Sequence, residues 1–353
     1  MFFCTLFNEK YLDKGIALFK SLEKNAPGFH LYALSMDDIT YDVLSDIKSS
    51  NLTPVKLSDF ENEALLSVKP SRKLGEYFWT CSSWLISYVL DTYKPEYCTY
   101  VDADLFIFSN PEVIIEEMKR RGASVQIVSH RFMDLIDEHA TQAVGKFCVE
   151  FNTFKNDENG RALLNIWKKQ VLDNCTVDHE KGFYGDQKYL NNWLEEYPYV
   201  IDTDNVGAGV GPWNLCCYND ITKKKDKDII VSRWGKKAPL LFVHFENINY
   251  LNESSANVSL VHTWKSDKKF IDKVYVPYLQ LLRRIKADLK DKYGIYTLIQ
   301  KHPGYVTEAQ RDGIFKRLYK MIFVDKRLLH SILTNLLISV PNKLFKRYSV
   351  VNF

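Results

Sequence analysis

The sequence lacks the features that mark several common protein classes. Its seven cysteines form no C-x-x-C pair and their number is odd, which argues against a zinc cluster or disulfide framework and favours reduced thiols. No apolar run reaches the roughly 18 residues of a transmembrane helix. No G-x-G-x-x-G follows the first apolar run, so the usual dinucleotide-binding fingerprint is absent. The net charge of +3 is too small to predict nucleic-acid binding.

The apolar start of the chain is too short to act as a targeting segment. Residues 1–7 are followed at once by Asn8, Glu9 and Lys10, with no basic segment before them and no small-residue cleavage site after them. This start is typical of a first β-strand. We therefore expect a cytoplasmic protein, either free or peripheral on the inner face of the membrane.

The composition is that of a globular chain with a large core. Hydrophobic residues make up 46% of the 353 residues and aromatic residues 14%, so disorder is not indicated. This length predicts one large domain with an appendage. The predicted units are a catalytic domain, 1–270, and a C-terminal basic helical region, 271–353.

Strand and helix signals alternate at the start of the chain. The predicted order is a strand at 2–7, a helix carrying Leu12, Ile16, Phe19 and Leu22, a strand at 29–34, a helix at 39–49 and a strand at 55–57. This alternation is typical of a parallel sheet covered by helices. The predicted fold class is α/β, with a Rossmann-like, mostly parallel central sheet, flanking helices and a C-terminal helical extension.

An acidic triplet, Asp102-Ala103-Asp104, follows a predicted buried strand at 97–101. Open α/β sheets place their ligands at the carboxyl ends of strands. On an extended chain, or through a turn after the first aspartate, both carboxylates can reach one cation. Hard divalent cations bind carboxylate oxygens and keep positions open for substrate phosphates. The triplet therefore predicts a cation site that offsets charge on a diphosphate leaving group, with two solvated turn aspartates as the alternative.

The same triplet is found in haloacid-dehalogenase-type phosphatases, where the first aspartate is the nucleophile. Phe106 stands here where those enzymes carry threonine or valine, and the motif lies near residue 100 instead of at the chain start. We also find no convincing later acidic pair. A phosphatase is therefore the weaker reading of the triplet.

Two further signals follow downstream. Gly185 precedes Asp186 and Gln187 at the start of a predicted helix, where a carboxylate and an amide suit sugar hydroxyls, with an ordinary helix cap as the alternative. His244 ends an apolar strand, and a neutral imidazole is a good cation ligand. Asparagine and glycine also cluster at 156–160 and 205–211, and both clusters are predicted to be active-site loops.

The tail beyond about residue 270 has a helical pattern and becomes basic. Between residues 316 and 347, eight lysines and arginines face a single acid, Asp325, and apolar residues are interleaved with them. A basic amphipathic helix is typical of a membrane-surface element. The alternative is a helical pair packed on the catalytic domain.

The order of these signals, Asp-Ala-Asp, then Asp-Gln, then His-Phe, resembles glycosyltransferase family 8 and related bacterial GT-A enzymes over residues 1–250. The matching stretches are 4–12, 100–105, 151–154, 185–187 and 244–245. The resemblance implies a uridine site lined by Thr5, Leu6, Asn8 and Tyr11, donor contacts from Asp102, Ala103 and Asp104, and Mn²⁺ or Mg²⁺ on Asp102, Asp104 and His244. It also implies donor-sugar and reaction-centre roles for Asp186 and Gln187, a sugar contact from Asn152, and acceptor contacts from Gly209 and Trp213.

The activity that this resemblance implies is metal-dependent, retaining transfer of a sugar from a UDP-sugar to a hydroxyl of a glycan or lipid-linked saccharide, in surface polysaccharide or lipopolysaccharide synthesis. The chain departs from the family after His244, where the family carries a lysine that clamps the diphosphate. Residues 245–250 contain no lysine. Arg72, Lys73 and Lys265 are the candidate replacements.

Three other functions stay open at this stage. One is the phosphatase. Another is a sugar nucleotidyltransferase, although residues 5–8 lack its glycine-rich, basic signature. The third is a non-catalytic module that binds a nucleotide-sugar. Release of UDP in the presence of an acceptor separates the predicted transferase from such a module.

Overall fold

A computed structural model describes residues 1–132, 134–178, 182–218, 220–223, 229–258, 267–296 and 350–353. In chain order the strands are β1 (Phe2–Phe7), β2 (His30–Ser35), β3 (Leu52–Lys56), β4 (Tyr97–Val101), β5 (Leu105–Ile107), β6 (Val125–Ser129), β7 (Phe147–Lys155), β8 (Val177–Asp178), β9 (Phe183–Tyr184), β10 (Val200–Asp202), β11 (Asp220–Lys223), β12 (Ile229–Arg233), β13 (Lys236–Pro239), β14 (Phe242–His244), β15 (Asn249–Asn252), β16 (Ser255–Asn257) and β17 (Val350–Asn352).

The helices are α1 (Leu12–Asn25), α2 (Asp38–Asp46), α3 (Leu57–Phe60), α4 (Glu63–Val68), α5 (Leu74–Thr92), α6 (Glu112–Arg121), α7 (Asp134–Val144), α8 (Glu158–Asp173), α9 (Trp193–Glu196), α10 (Asp267–Phe270) and α11 (Val276–Tyr293). Short 3-10 turns lie at Glu9–Tyr11, Lys69–Ser71, Gln187–Leu190 and Leu215–Cys217. A π-helical turn, Ile271–Tyr275, joins α10 to α11.

The central sheet has the strand order β10-β6-β7-β4-β1-β2-β3. Neighbouring strands are parallel except at β7, which runs antiparallel to β4 and to β6. The predicted α/β class with a mostly parallel sheet is confirmed. Because β7 is antiparallel, its first residues lie at the sheet edge where β4 ends, and this edge carries the acidic triplet.

The two faces of the sheet bury separate hydrophobic clusters, because side chains alternate along each strand. On β1, Phe3 and Phe7 face a cluster that includes apolar residues of α1 and α11. Cys4 and Leu6 face the other cluster, to which α5 and α8 contribute. The almost wholly apolar β1 sequence therefore specifies a strand that is covered on both sides.

Helix α11 supplies the predicted C-terminal helix and packs against α1. The ring of Tyr278 on α11 stacks on that of Phe245, with centroids 3.8 Å apart. The helical stretch 267–293 crosses the predicted boundary at residue 270 without interruption, and that boundary stays a prediction. The basic segment 316–347 lies outside the described residues. Within the ranges given above, no helix combines the length and apolar character needed to cross a bilayer.

Candidate functional site

The acidic triplet forms a turn between β4 and β5. The backbone N–H of Leu105 donates to the carbonyl of Asp102 at 3.0 Å, which closes the turn. Both carboxylates then approach one imidazole: Asp104 Oδ1 lies 3.0 Å, and Asp102 Oδ2 3.7 Å, from Nε2 of His244. Asp104 is only 6% exposed. Asp104 is therefore not a solvated turn aspartate, whereas the Asp102 side chain stays 31% exposed.

His244 reaches the triplet because β14 pairs antiparallel with β5, which places His244 opposite Leu105. The backbone N–H of Phe245 donates to the carbonyl of Asp104 at 2.9 Å, and that of His244 donates to the carbonyl of Val210 at 2.8 Å. The β14 sequence is apolar and buried up to the histidine. The strand thus fixes the imidazole at the sheet edge through main-chain bonds on both sides.

Glu150 on β7 completes this cluster, and the sequence reasoning missed it. Its Oε2 lies 2.9 Å from Nδ1 of His244, on the ring side opposite the aspartates, and its side chain is fully buried. A carboxylate that binds the second nitrogen of a metal-ligating histidine sets the ring's tautomer and orientation. The available signal was a single acid within the otherwise apolar run 147–151.

The residues present fit a divalent cation. The ligand atoms of Asp102, Asp104 and His244 all lie within 4.8 Å of one another. Two carboxylates and an imidazole match the ligand preferences of Mn²⁺, and the carboxylates those of Mg²⁺. Burial raises the pKa of Asp102 to about 8, and the nearby Asp104 adds to the rise although His244 opposes it. The positive charge of His244 does not fully offset these carboxylates, and a bound cation would supply the rest.

The pKa of Asp104 is lowered and that of His244 is raised, which are the shifts that an ion pair between them produces. Burial raises the pKa of Asp104, but the charge and hydrogen bond of His244 outweigh it and the net shift is downward. Burial lowers the pKa of His244, but Asp104 outweighs it and holds that pKa well above its usual value. Without a metal, the imidazolium offsets part of the carboxylate charge.

Asp186 is a further buried carboxylate near the triplet, after Asp104 and Glu150. It is 4% exposed, and the hydroxyl of Ser82 on α5 donates to its Oδ2 at 2.7 Å. The side chain makes no helix-capping hydrogen bond, so the ordinary-cap alternative does not describe it. Burial raises the pKa of Asp186 to about 7, and Ser82 opposes part of that rise. The charge of Asp186 also raises the pKa of Asp102, although burial, His244 and Asp104 are larger influences on it.

Asn152 and Thr5 carry polar atoms that no described residue satisfies. Asn152 lies opposite Tyr100 in the β4–β7 register, and the Tyr100 hydroxyl donates to Asp102 Oδ1 at 3.0 Å. Both side-chain amide atoms of Asn152 and the Thr5 hydroxyl are buried without a partner. Buried polar groups are nearly always hydrogen-bonded, so unpaired ones at this edge fit a ligand's hydroxyl groups.

The loop after β1 carries the remaining residues predicted for the nucleoside. Asn8 accepts from the backbone N–H of Tyr11 at 2.9 Å, which starts the short 3-10 turn. The Tyr11 ring is 39% exposed and has the Lys14 ammonium 3.8 Å from its centroid. Leu6 is buried within the sheet. Because β1 and β4 are parallel, this loop and the acidic triplet lie at the same edge of the sheet.

Gly209 and Trp213 pack against the part of the cluster formed by Glu150 and His244. Gly209 has φ +67° and a side chain there would meet Val128 at 2.6 Å, so only glycine fits. The Trp213 indole N–H donates to the carbonyl of His130 at 2.8 Å, and its ring stands edge-on to His244 with centroids 5.4 Å apart. The loop that was predicted near the acceptor thus packs directly on the cluster.

Other predicted residues are engaged elsewhere. Arg72 donates to the carbonyls of Val171 and Leu172 at the end of α8, and Gln187 donates to the carbonyl of Val144. Lys73 precedes α5, and its backbone N–H donates to Glu76 in the first turn of that helix. Ala103 is buried in the core within the triplet's turn. Lys265 lies outside the described residues.

The prediction of an active-site loop at 156–160 is wrong. These residues follow the end of β7, where Lys155 pairs with Tyr97 at the start of β4, the strand end opposite the acidic triplet. Asn156 donates to Pro95, and Asp157 caps α8 by accepting from Gly160 at 2.9 Å. The asparagine and glycine cluster marks a helix start.

Sequence comparison finds two similar proteins from Bacillus subtilis (strain 168), both described as uncharacterized. YfnF is 31% identical over 283 residues, which cover 77% of this chain and 89% of YfnF. YfnD is 29% identical over 309 residues, which cover 85% of this chain and 95% of YfnD. No family model matches the sequence.

Similar solved structures include the galactosyltransferase LgtC in complex with donor and acceptor sugar analogues. Its TM-score is 0.49 at 11% identity, covering 80% of this chain and 95% of that one. Mouse xyloside xylosyltransferase 1 has a TM-score of 0.41 at 14% identity, covering 60% and 86%. At this level of similarity, the activity has to be argued from the chemistry of the site.

Proposed function

This chain belongs to the same family as Bacillus subtilis YfnF, and we propose that it is a glycosyltransferase. It transfers a sugar from a UDP-sugar to a hydroxyl of a glycan or lipid-linked saccharide, with Mn²⁺ or Mg²⁺ as the cofactor. The observation that carries this proposal is the convergence of Asp102, Asp104 and His244 at the carboxyl edge of the sheet, beside the buried Asp186.

Asp102, Asp104 and His244 would hold the cation, and Glu150 would orient the imidazole. When bound, the cation supplies positive charge that offsets the negative charge building on the departing UDP. The chain's own contribution is geometric, because the β5–β14 pairing holds the imidazole against the turn of the triplet before any ligand arrives. A site prepared in this way needs no rearrangement as charge develops.

Asp186 would stabilise the positive charge that develops at the anomeric carbon. Its carboxylate is buried, so its field is screened little by water. With a pKa of about 7, a substantial fraction is ionised at neutral pH. Asn152 would bind a hydroxyl of the donor sugar, and Gly209 and Trp213 would flank the acceptor. Gln187 would complete the reaction centre through its side-chain oxygen, because its nitrogen donates to the carbonyl of Val144.

The remaining parts of the proposal concern outcome and location. We propose retention of configuration at the anomeric carbon and an acceptor in surface polysaccharide or lipopolysaccharide synthesis. The basic residues between 316 and 347 support a position at the inner face of the membrane, where lipid-linked acceptors are available. An NMR spectrum of the product would distinguish retention from inversion.

The test is release of UDP from a panel of UDP-sugars with Mn²⁺, in the presence and absence of glycan acceptors. We expect release with at least one donor, an increase with acceptor, and loss in the Asp104→Asn variant. Asp59→Asn serves as a matched control, because Asp59 is exposed on α3. Binding of UDP-sugars without release would indicate a binding module, and release of inorganic phosphate from sugar phosphates would indicate a phosphatase.

A further inference from the structure

A cavity of about 340 Å³ opens between the loop after β1 and helix α11. Its walls include residues 9–11, the segment 247–250 that follows β14, and Lys286 and Leu289 of α11. The segment 247–250 continues directly from His244 and Phe245, whose backbone is hydrogen-bonded to the triplet. The cavity therefore lies beside the proposed metal site.

Three lysines line this cavity, Lys10, Lys14 and Lys286, and neither Lys14 nor Lys286 forms an ion pair with a described residue. The Lys14 ammonium lies 3.8 Å from the ring centroid of Tyr11, and the Lys286 ammonium 3.2 Å from that of Tyr250. Asp13 also lines the cavity, but it accepts from the Tyr250 hydroxyl and from the backbone N–H of Lys14. Both ammonium groups thus contact aromatic faces where a structural lysine would contact a carboxylate.

These lysines are partly removed from water, which makes an anion the natural ligand. Lys14 is only 5% exposed, and burial lowers the pKa of Lys286 to about 8. An ammonium without a counter-ion is costly to bury, and contact with an aromatic face offsets only about 2 kcal/mol. Phosphate oxygens are strong partners for a lysine ammonium.

The cavity and the acidic triplet are electrostatically connected. Lys14 lowers the pKa of Tyr11, while Asp104 and burial outweigh it and raise that pKa overall. A ligand that spans the triplet and the cavity would meet a cation at one end and ammonium groups at the other.

We propose that Lys286, supported by Lys14, binds the diphosphate of the nucleotide-sugar donor. The proposal rests on the function proposed above and names a residue for a role that residues 245–250, which lack lysine and arginine, do not fill. It also gives α11 a place in the donor site, because Lys286 follows Tyr278 on that helix by roughly two turns.

The experiment is calorimetric titration of the full chain with UDP and with uridine, both with Mn²⁺, using wild type and Lys286→Met. Methionine keeps most of the apolar stem and removes the charge. We expect UDP binding to weaken about 10–100-fold, in keeping with loss of one charge-assisted hydrogen bond, while uridine binding is unchanged. Lys286→Arg should retain most of the affinity, and Arg284→Gln, an exposed position on the same helix, should match wild type.

Equal UDP affinity of wild type and Lys286→Met would overturn the inference. If wild type does not bind UDP at all, the proposed function fails, and pyrophosphate then tests the cavity separately. Pyrophosphate binding that depends on Lys286 would support the anion site without the proposed enzyme. No pyrophosphate binding, or binding that is the same in both proteins, would overturn the inference as well.

Discussion

The β4–β7 strand pair has polar residues at both of its ends, and they are engaged in different ways. At the end where β7 stops, Asn156 donates to Pro95 and accepts from Arg161, and Asp157 caps α8. At the end where β7 begins, the amide of Asn152 is buried without a partner among the described residues. At these two ends, the residue whose polar atoms lack a partner lies beside the acidic triplet, whereas the polar cluster at the other end is used by the fold itself.

The largest effect is expected beside the acidic triplet, from Asp186→Asn. Removing this carboxylate would remove charge stabilisation at the anomeric carbon, and we expect kcat for UDP release to fall about 10²–10³-fold. Steady-state kinetics with a saturating donor would measure it. A kcat equal to that of wild type would exclude Asp186 from the reaction centre.

The same variant should be more stable than wild type at high pH. The carboxyl has its ordinary pKa of 3.8 when unfolded and about 7 when folded. Between these two pKa values the carboxyl is ionised in the unfolded chain but still protonated in the folded chain. Rising pH therefore favours unfolding, and this group lowers the free energy of unfolding until the pH passes the folded pKa. Asparagine does not titrate, and we expect its advantage to be at most about 4 kcal/mol near pH 8.

Urea denaturation in the presence of a metal chelator would measure this stability difference. The advantage of Asp186→Asn should shrink as the pH falls towards 4, because both states of wild type are then protonated. An advantage that does not change with pH would contradict the raised pKa of Asp186.

Glu150→Gln should weaken metal binding although Glu150 is not one of the proposed metal ligands. Glutamine keeps the shape of the side chain but removes the charge that orients His244, and we expect Mn²⁺ affinity to fall about 10–100-fold. Titration of Mn²⁺ monitored by electron paramagnetic resonance would measure the affinity. An unchanged Mn²⁺ affinity would reduce Glu150 to a structural residue.

Asn152→Ala should raise the KM for the donor about tenfold with little loss of stability. No described partner is left unsatisfied when this amide is removed, so the usual penalty of about 1–3 kcal/mol for a broken buried hydrogen bond does not apply. Kinetics and urea denaturation on the same preparation would separate the two effects. A large loss of stability with an unchanged KM would show that Asn152 supports the fold and does not bind the donor.

The smallest effect on catalysis is expected at the satisfied end. Asp157→Ala removes the cap of α8 and should lower the free energy of unfolding by about 1 kcal/mol, while kcat and KM stay the same. Urea denaturation and kinetics would again be compared. Loss of activity without loss of stability would contradict the claim that Asp157 serves only the fold.

Sequence reasoning succeeded where the signal is local. Periodicity along the chain predicted β1, α1, β2, α2 and β3 to within a few residues, because each buries its own apolar side. The acidic triplet and His244 were recognisable because each sits at the end of an apolar strand. Strand ends in an α/β sheet converge on one edge, so local information sufficed for their convergence.

Other features depend on how distant segments meet. The direction of β7 decides that Glu150 faces His244 and that residues 156–160 lie at the far edge, and no local pattern encodes it. Lys286 is one of several lysines on an amphipathic helix, and only the packing of α11 on α1 brings it to the cavity. Arg72 shows the opposite case. The sequence suggested an arginine available to a phosphate, but in the fold its guanidinium donates to backbone carbonyls.

The central claim is that Asp102, Asp104 and His244 form a metal centre for a nucleotide diphosphate. The most direct measurement is calorimetric titration of UDP into the wild-type protein and the Asp104→Asn variant, each with Mn²⁺ and with a chelator. The account predicts UDP binding by wild type only when Mn²⁺ is present, and loss of that binding in a variant whose circular dichroism is unchanged. UDP binding that is independent of Mn²⁺, or that survives in Asp104→Asn, would contradict the metal assignment.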